Sequence, residues 1–244
     1  MNGFFAIYIR ELLILRRRLG MLAGSMSVAP LLYLVAFGFA LGRDISISGH
    51  SYMQYLLPGL IALSSMTQAF AISGEINIAR FYWKIFEEFQ AAPVSRTAYV
   101  AAEVMAAMTR GIMAAVIILV FGCLFGIRLH LGPAFWLAVA ANSFVFGSLA
   151  VFFAMVVREH AAQMMLNTFI ITPMAFLGGT FFPADRLPVW AQYAIEILPI
   201  THAARAIRQA ALADGFFWSP YLAMVVTGGV FFALALNRVH KVGE

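Results

Sequence analysis

Charge is what this sequence has least of. Asp, Glu, Lys and Arg make up 11% of its 244 residues and apolar types 63%, where an ordinary water-soluble domain carries about a quarter charged residues. A chain so short of charge cannot clothe a folded surface for water, and the lipid bilayer is the solvent its composition suits. Cysteine is nearly missing. Cys123 stands alone inside an apolar run, which excludes an intramolecular disulfide and leaves a cysteine-based metal site without ligands. The net charge of +5 comes from cations dispersed between apolar stretches. They form no single basic face, so nucleic acid is not the implied partner. No internal repeat, low-complexity tract or long linker divides the chain, which reads as one transmembrane domain over 1–244.

Crossing hydrocarbon takes roughly 20 mostly apolar residues in helical form, because lipid offers no partner to an unpaired backbone group. Six segments meet that condition: 20–41, 52–72, 98–125, 133–157, 162–182 and 219–236. The predicted fold is therefore all-α and membrane-integral, with six transmembrane helices. The first segment is too long for the core of a cleaved signal peptide, contains Pro30 and ends without a small-residue cleavage pattern; it is expected to stay in the mature fold. With both termini placed in the cytoplasm, ten cations fall inside: Arg10, Arg16, Arg17, Arg18, Arg80, Lys84, Arg96, Arg158, Arg238 and Lys241. Five fall outside, Arg43, Arg128, Arg186, Arg205 and Arg208, and Arg110 is left within the membrane. This follows the positive-inside rule. Residues 1–19 read as an interfacial helix, with Phe4, Phe5, Tyr8, Leu12, Leu15 and Leu19 on one face and Arg10 and Arg17 opposite.

Two connections carry more than a link. Between the second and third spans, residues 81–93 combine Trp83, Phe86 and Phe89 with Lys84, Glu87 and Glu88 before Ala92 and Pro93 stop the pattern. A short amphipathic helix fits, either a docking surface for a soluble partner or simply a solvated loop helix. After the fifth span, Pro173, Gly178 and Gly179 predict a break, followed by Phe181, Phe182, Pro183, Leu187, Pro188 and Trp190. Over 183–212, Leu187, Trp190, Ala191, Ala194, Ile195 and Leu198 recur at helical spacing, with Asp185 placed to cap and Pro188 in the first turn. That helix is too short and too polar to span, and is expected to lie in the outer interface or to dip in and return. A second helix begins at Thr201 after Pro199, carries His202, Arg205 and Arg208, and ends near Asp214 and Gly215. Inside the membrane Arg110 requires a protein interior, a water path or a carboxylate; Glu103 lies two turns earlier on nearly the same face. A structural role, snorkelling or pairing between helices, is favoured over direct substrate contact. His202 has no second ligand at metal-site spacing, so it reads as a packed histidine and no metal is predicted.

The string Phe176-Leu177-Gly178-Gly179-Thr180-Phe181-Phe182-Pro183, then Leu187-Pro188 and Trp190, then Leu198-Pro199-Ile200-Thr201-His202 with Arg205 and Arg208, resembles the signature of type-2 ABC exporter permeases. Glu87-Glu88 followed by Ala92-Pro93-Val94-Ser95 is similar to the coupling-helix loop of that family, and the six-span layout extends the resemblance over the whole chain. It is nearest the branch that exports lipo-oligosaccharides and amphiphilic drugs. The resemblance implies a multi-pass subunit of the cell (inner) membrane, paired with a second permease subunit, a second copy of itself being preferred to a related permease. Each permease would be driven by a separate ABC ATPase subunit holding ATP and Mg, with no cofactor in this chain. Lys84, Glu87, Glu88, Phe89, Ala92 and Pro93 would form the coupling helix against the ATPase, and the segment from Gly178 to Leu198 the outer re-entrant gate. The two lysines, Lys84 and Lys241, lie in no phosphate-binding Gly-x-x-x-x-Gly-Lys loop, so the chain is expected not to be an enzyme by itself.

The alternatives are weaker. A self-contained ion-coupled carrier needs acidic groups in the membrane core, where Glu103 is the main candidate. An intramembrane lipid enzyme would need Glu75, His202 and Glu196 to converge, but the predicted topology sets them on opposite sides. An importer would be expected to show a Glu-Ala-Ala loop, which is not seen.

Overall fold

A computed structural model describes residues 3–41, 46–47, 49–92, 94–183, 188–213 and 215–242. Eleven α-helices follow one another among these residues: α1 (Gly3–Arg17), α2 (Leu19–Leu41), α3 (Tyr52–Phe81), α4 (Ile85–Ala91), α5 (Arg96–Leu124), α6 (Pro133–Val156), α7 (His160–Leu166), α8 (Thr172–Leu177), α9 (Val189–Glu196), α10 (Pro199–Leu212) and α11 (Trp218–Val242). The only described strands, β1 (Ser46–Ile47) and β2 (His50–Ser51), pair antiparallel with Ile47 opposite His50. The fold is all-α and membrane-integral: five helices, α2, α3, α5, α6 and α11, are long and apolar enough to cross a bilayer.

Local signals set the helix ends. Ser51 accepts from the Gln54 amide while the Gln54 side chain returns to the Ser51 N–H, a capping box that starts α3. The Ser95 hydroxyl caps α5 through the Ala98 N–H at 3.2 Å. Pro133 and Pro199 occupy first-turn positions of α6 and α10, where a missing N–H costs nothing.

Burial sorts the helices into centre and rim. Of the most apolar stretch of α3, 83% is buried, against 17% for α2 and 28% for α11. Helix α3 is the post on which α5, α6 and α10 pack, and α2 and α11 turn most of their surface outward. Small residues let α5 and α6 approach: a Cβ on Gly111 would lie 2.2 Å from Ser143 Oγ, and one on Gly147 2.8 Å from the Ala107 methyl. Buried amides supply the polar ties that lipid cannot. Asn142 Nδ2 donates to Ala62 O and Ser65 Oγ at 3.0 and 2.8 Å, and Asn77 Nδ2 to Val157 O at 2.8 Å. With Arg80 donating to Met155 O at 2.8 Å, α3 satisfies carbonyls that the end of α6 leaves open.

Three expectations are corrected. The second span does not stop at Ile72: α3 has 30 residues, about 45 Å at 1.5 Å per residue, and carries Glu75 and Arg80 beyond the apolar run. The fifth span is not one regular helix. Helical backbone begins at His160 and ends at Leu177, with a π-turn over Asn167–Ile171 between α7 and α8. Pro173 has no N–H to give and its ring would clash with the Phe169 carbonyl in α-helical register, so the wider i→i+5 spacing before it relieves both. The third correction concerns α1, whose inward face is Ile7, Glu11 and Leu15 with Phe4 and Tyr8 partly covered, while Phe5 faces outward and Leu19, also exposed, already belongs to α2. The helix is anchored to α5, with Tyr8 and Thr109 hydroxyls 2.9 Å apart. Packing against α5 turns Glu11 inward against the hydrophobic pattern, and its partner there is Arg10 of the same helix.

Candidate functional site

At one end of the bundle the chain makes an elbow between α3 and α5. Lys84 takes a left-handed conformation (φ 55°) that turns the chain into the 7-residue α4, so the helix expected over 81–93 is confined to Ile85–Ala91 and Phe81 belongs to α3. Pro93 lies outside the described residues, as does the side chain of Glu87. Aromatic contacts hold the elbow down. Phe86 is buried, its ring 5.3 Å from that of Tyr99, and Phe89 lies 5.6 Å from the same tyrosine. The Arg10 guanidinium sits 5.5 Å over Phe89 and that of Arg80 5.5 Å over Phe86. Glu88, Lys84 and Ala92 face outward. One side of α4 is thus locked to α1, α3 and α5 and the other is open.

Behind the elbow lies a cluster of charges. Arg110 NH1 and NH2 donate to Glu75 Oε1 and Oε2 at 2.7 and 2.6 Å, a bidentate pair joining α5 to α3. The carboxylate on Arg110 is therefore not Glu103. Sequence reasoning missed Glu75 because it ended the second span before it; nine further residues of helix, through Phe81, were the signal. Arg10 NH1 bonds Glu11 Oε1 at 2.7 Å, and burial pushes the Glu11 carboxyl up from its usual range against the pull of Arg10. Glu103 is 3% exposed and its Oε2 accepts no hydrogen bond from the described residues.

At the opposite end α8 stops at Gly178, and Gly179 (φ +71°) turns the chain into an irregular stretch through Pro183. Three groups pin that stretch to the bundle. Tyr52 Oη donates to Phe181 O at 3.1 Å. Arg208 of α10 donates to Gly179 O, Thr180 O and Tyr55 O at 3.0, 3.4 and 3.3 Å, with its guanidinium 3.8 Å from the centre of the Tyr55 ring. Gly59 lets it approach: a Cβ there would stand 2.0 Å from Thr180 O, and one on Gly178 2.4 Å from Ile200 Cγ2. Phe181, held in this way, is buried among Tyr33, Phe37 and Phe176, at ring separations of 5.1, 5.6 and 5.4 Å. Phe182 is 40% exposed.

Leu187, Asp185 and Asp214 fall outside the described residues. The described helix after the break is Val189–Glu196 with Pro188 at its N-cap, and its outward stripe is Val189, Trp190, Tyr193 and Ile197. Trp190 and Ala194 do not share the buried side with Ile195, contrary to the expected face. Packing against α10 selects the side that carries the polar ties, and the larger apolar groups remain for lipid. His202 Nε2 lies 2.9 Å from Glu196 O, Thr201 Oγ1 donates to Ile195 O at 2.7 Å, and Arg205 pairs with the Glu196 carboxylate. Glu196 and His202 do come together, but Glu75 belongs to the other end of the bundle.

Between the two ends a cleft of about 500 Å³ runs along α2, α3 and the α7–α8 segment. Its lining residues include Ser64, Thr67, Gln68, Gln163 and Asn167 beside Tyr33 and Phe176, with no charged side chain among them. The Phe181 cluster adjoins it, sharing Tyr33 and Phe176.

The elbow with its open outer face and the pinned irregular segment lie at opposite ends of the bundle, with the cleft between them. The chain is 30% identical over 182 residues to nodulation protein J of Rhizobium meliloti, covering 73% of this chain and 70% of that protein. It is 26% identical over 201 residues to the inner membrane transport permease YadH of Escherichia coli (82% and 77% covered). It is 24% identical over 218 residues to the daunorubicin resistance ABC transporter permease protein DrrB1 of Streptomyces coeruleorubidus (87% and 77% covered). The family described as ABC-2 type transporter matches residues 2–212, and the chain belongs to it, as a membrane permease component of an ABC transporter.

Proposed function

We propose that this chain is the permease of an exporter that moves an amphiphile outward across the inner membrane, driven by ATP and Mg bound in a separate ABC ATPase. In this reading the α7–α8 segment is the fifth of six spans and both termini are cytoplasmic. Two permeases pair so that their clefts face a common path, and a second copy of this chain is the preferred partner. The observation that carries the reading is the α4 elbow, clamped to α1, α3 and α5 on one side and presenting Lys84 and Glu88 on the other. Closure of the ATPases on ATP displaces α4. Because Phe86 and Phe89 are wedged against Tyr99, that displacement passes into α5 and α3 instead of being absorbed in a loose loop. Helix α3 reaches from the elbow to Tyr52, Tyr55 and Gly59, which hold the Gly178–Pro183 stretch, so a shift of α3 changes the seat of Phe181. The Phe181 cluster is then an outer gate and the uncharged cleft the place where the cargo waits. Each cycle is a population shift between two packings of the same helices. Relatives named for daunorubicin resistance and for nodulation support an amphiphilic or glycan/lipid-type cargo.

The test is affinity purification of the chain from its native membrane in mild detergent, with identification of what accompanies it and an ATPase assay. A stoichiometric ABC ATPase, lost when Glu87 and Glu88 are both changed to Ala, is the expected result. An active transporter purified with no ATPase attached would overturn the reading and favour an ion-coupled carrier.

A further inference from the structure

A second cavity, of about 300 Å³, lies under the elbow between α1, α3, α4 and α5 and shares no lining residue with the cleft. At its buried end Glu103 carries the unpartnered Oε2 described above. The neighbouring guanidiniums do not serve it: Arg110 spends its fork on both oxygens of Glu75, and Arg10 is bonded to Glu11. A carboxylate oxygen withdrawn from water with no donor demands one. Around it stand the rings of Trp83, Phe86, Phe89 and Tyr99, and an acid beside aromatic faces is the chemistry that receives an ammonium. The cavity wall also includes Arg18, which is exposed, and Arg80, which gives one N–H of its fork to Met155 O, lies over the rings of Phe81 and Phe86, and makes no ion pair among the described residues. Beside Glu11 and Glu75, which are already paired, the described residues of this cavity thus offer an acceptor without a donor and, in Arg18 and Arg80, cations without an ion-pair partner.

We propose that this cavity binds a phosphoethanolamine group, its primary ammonium at Glu103 among the rings and its phosphate at Arg18 and Arg80. A quaternary ammonium carries no N–H for Glu103, and an anionic glycerol head group brings only a neutral hydroxyl without counter-charge; the site favours the zwitterion with a primary amine. The occupant touches Phe86 and Phe89, so its presence stiffens the elbow. The shared chemistry has two sources, the head group of a membrane phospholipid and a soluble aminoalkyl phosphate.

The test titrates the purified full chain with short-chain phosphatidylethanolamine, phosphatidylcholine and phosphatidylglycerol of equal acyl length, reading retained lipid by native mass spectrometry. Phosphatidylethanolamine is expected to bind about tenfold more tightly than the other two, the worth of one charge-assisted hydrogen bond. Glu103→Gln is expected to abolish that preference. Equal binding of the three lipids, or a Glu103→Gln chain that keeps the preference, overturns the site and leaves Glu103 as a buried acid with no ligand. Arg18→Gln, at an exposed position, keeps the question open to refutation if the Glu103 variant does not fold: unchanged phosphatidylethanolamine affinity there overturns the proposal, and a severalfold loss supports it. Competition by soluble phosphoethanolamine separates the sources. Displacement of the lipid points to the soluble compound and resistance to the membrane, and both results support the site. No ATPase takes part, so this outcome is independent of the exporter reading.

Discussion

Arg110 and Glu75 show how unequal the two members of one ion pair are. Their side chains are 5% and 40% exposed, so water can take over solvation of the carboxylate but not of the guanidinium. Removing Glu75 leaves a buried cation without its hydrogen-bonded partner, whereas removing Arg110 leaves an exposed carboxylate. Glu75→Gln is therefore expected to destabilise the protein more than Arg110→Gln, by about 2 against about 1 kcal/mol once exposure of the pair is discounted. Unfolding midpoints of the purified variants in one detergent measure the difference, and equal losses would mean the pair is solvated as a unit. An Arg110→Gln chain that folds, assembles and transports normally would remove this pair from any account of the conduit.

At the scale of an element, the break after α8 is held open by its neighbours. Gly59 is the sharper handle because the atom in the way is a backbone oxygen, 2.0 Å from where a Cβ would stand. Gly59→Ala is expected to cost about 2 to 3 kcal/mol through overpacking. Gly20→Ala, in a helix with nothing within 4 Å of the new methyl, is expected to stabilise by up to about 1 kcal/mol. Thermal unfolding of the two variants checks the contrast. Arg208→Lys keeps the charge but loses the planar fork that reaches the carbonyls of Tyr55, Gly179 and Thr180 and stacks on the Tyr55 ring. Transport in the assembled complex is expected to fall roughly tenfold, the effect of about 1.4 kcal/mol, while ATPase association stays intact because α10 is remote from α4. Full transport by Arg208→Lys would show that the pinning contacts are dispensable. Pro173, Gly178 and Gly179 made the break itself legible, since each disfavours continuing the helix. The clamps did not show, because Tyr52, Gly59 and Arg208 are far apart in sequence and none forms a motif with the break.

For the whole molecule, the contrast between a buried α3 and an outward α2 separates the post of the bundle from its rim, and the proposed pairing puts the α2 face against the second copy. The cleft opens beside α2 and α7–α8, so a second copy closing over it meets α2 and not α11. In a chain whose exposed Cys123 has been replaced, a cysteine at Leu32 of α2, 60% exposed, is expected to cross-link to its counterpart in native membranes. A cysteine at Val230 of α11, 53% exposed, is expected to remain monomeric. The reverse pattern would reject the proposed pairing.

The sequence alone determined the solvent of this protein, its helical class and the places where its chain must break, because these follow from composition, hydrophobic run length and the local chemistry of Pro and Gly. It also carried the family, through the order Gly178-Gly179, Phe182-Pro183, Leu187-Pro188, Leu198-Pro199 and His202. Tertiary structure alone decided which charges meet and which helix stands at the centre. Arg110 chose Glu75 over Glu103 only because a long α3 brings its far turn beside α5, and Glu11 turned inward against its hydrophobic pattern because α1 packs on that neighbour. Apolar runs alike in composition became post and rim because burial depends on neighbours, and no run of residues records its own.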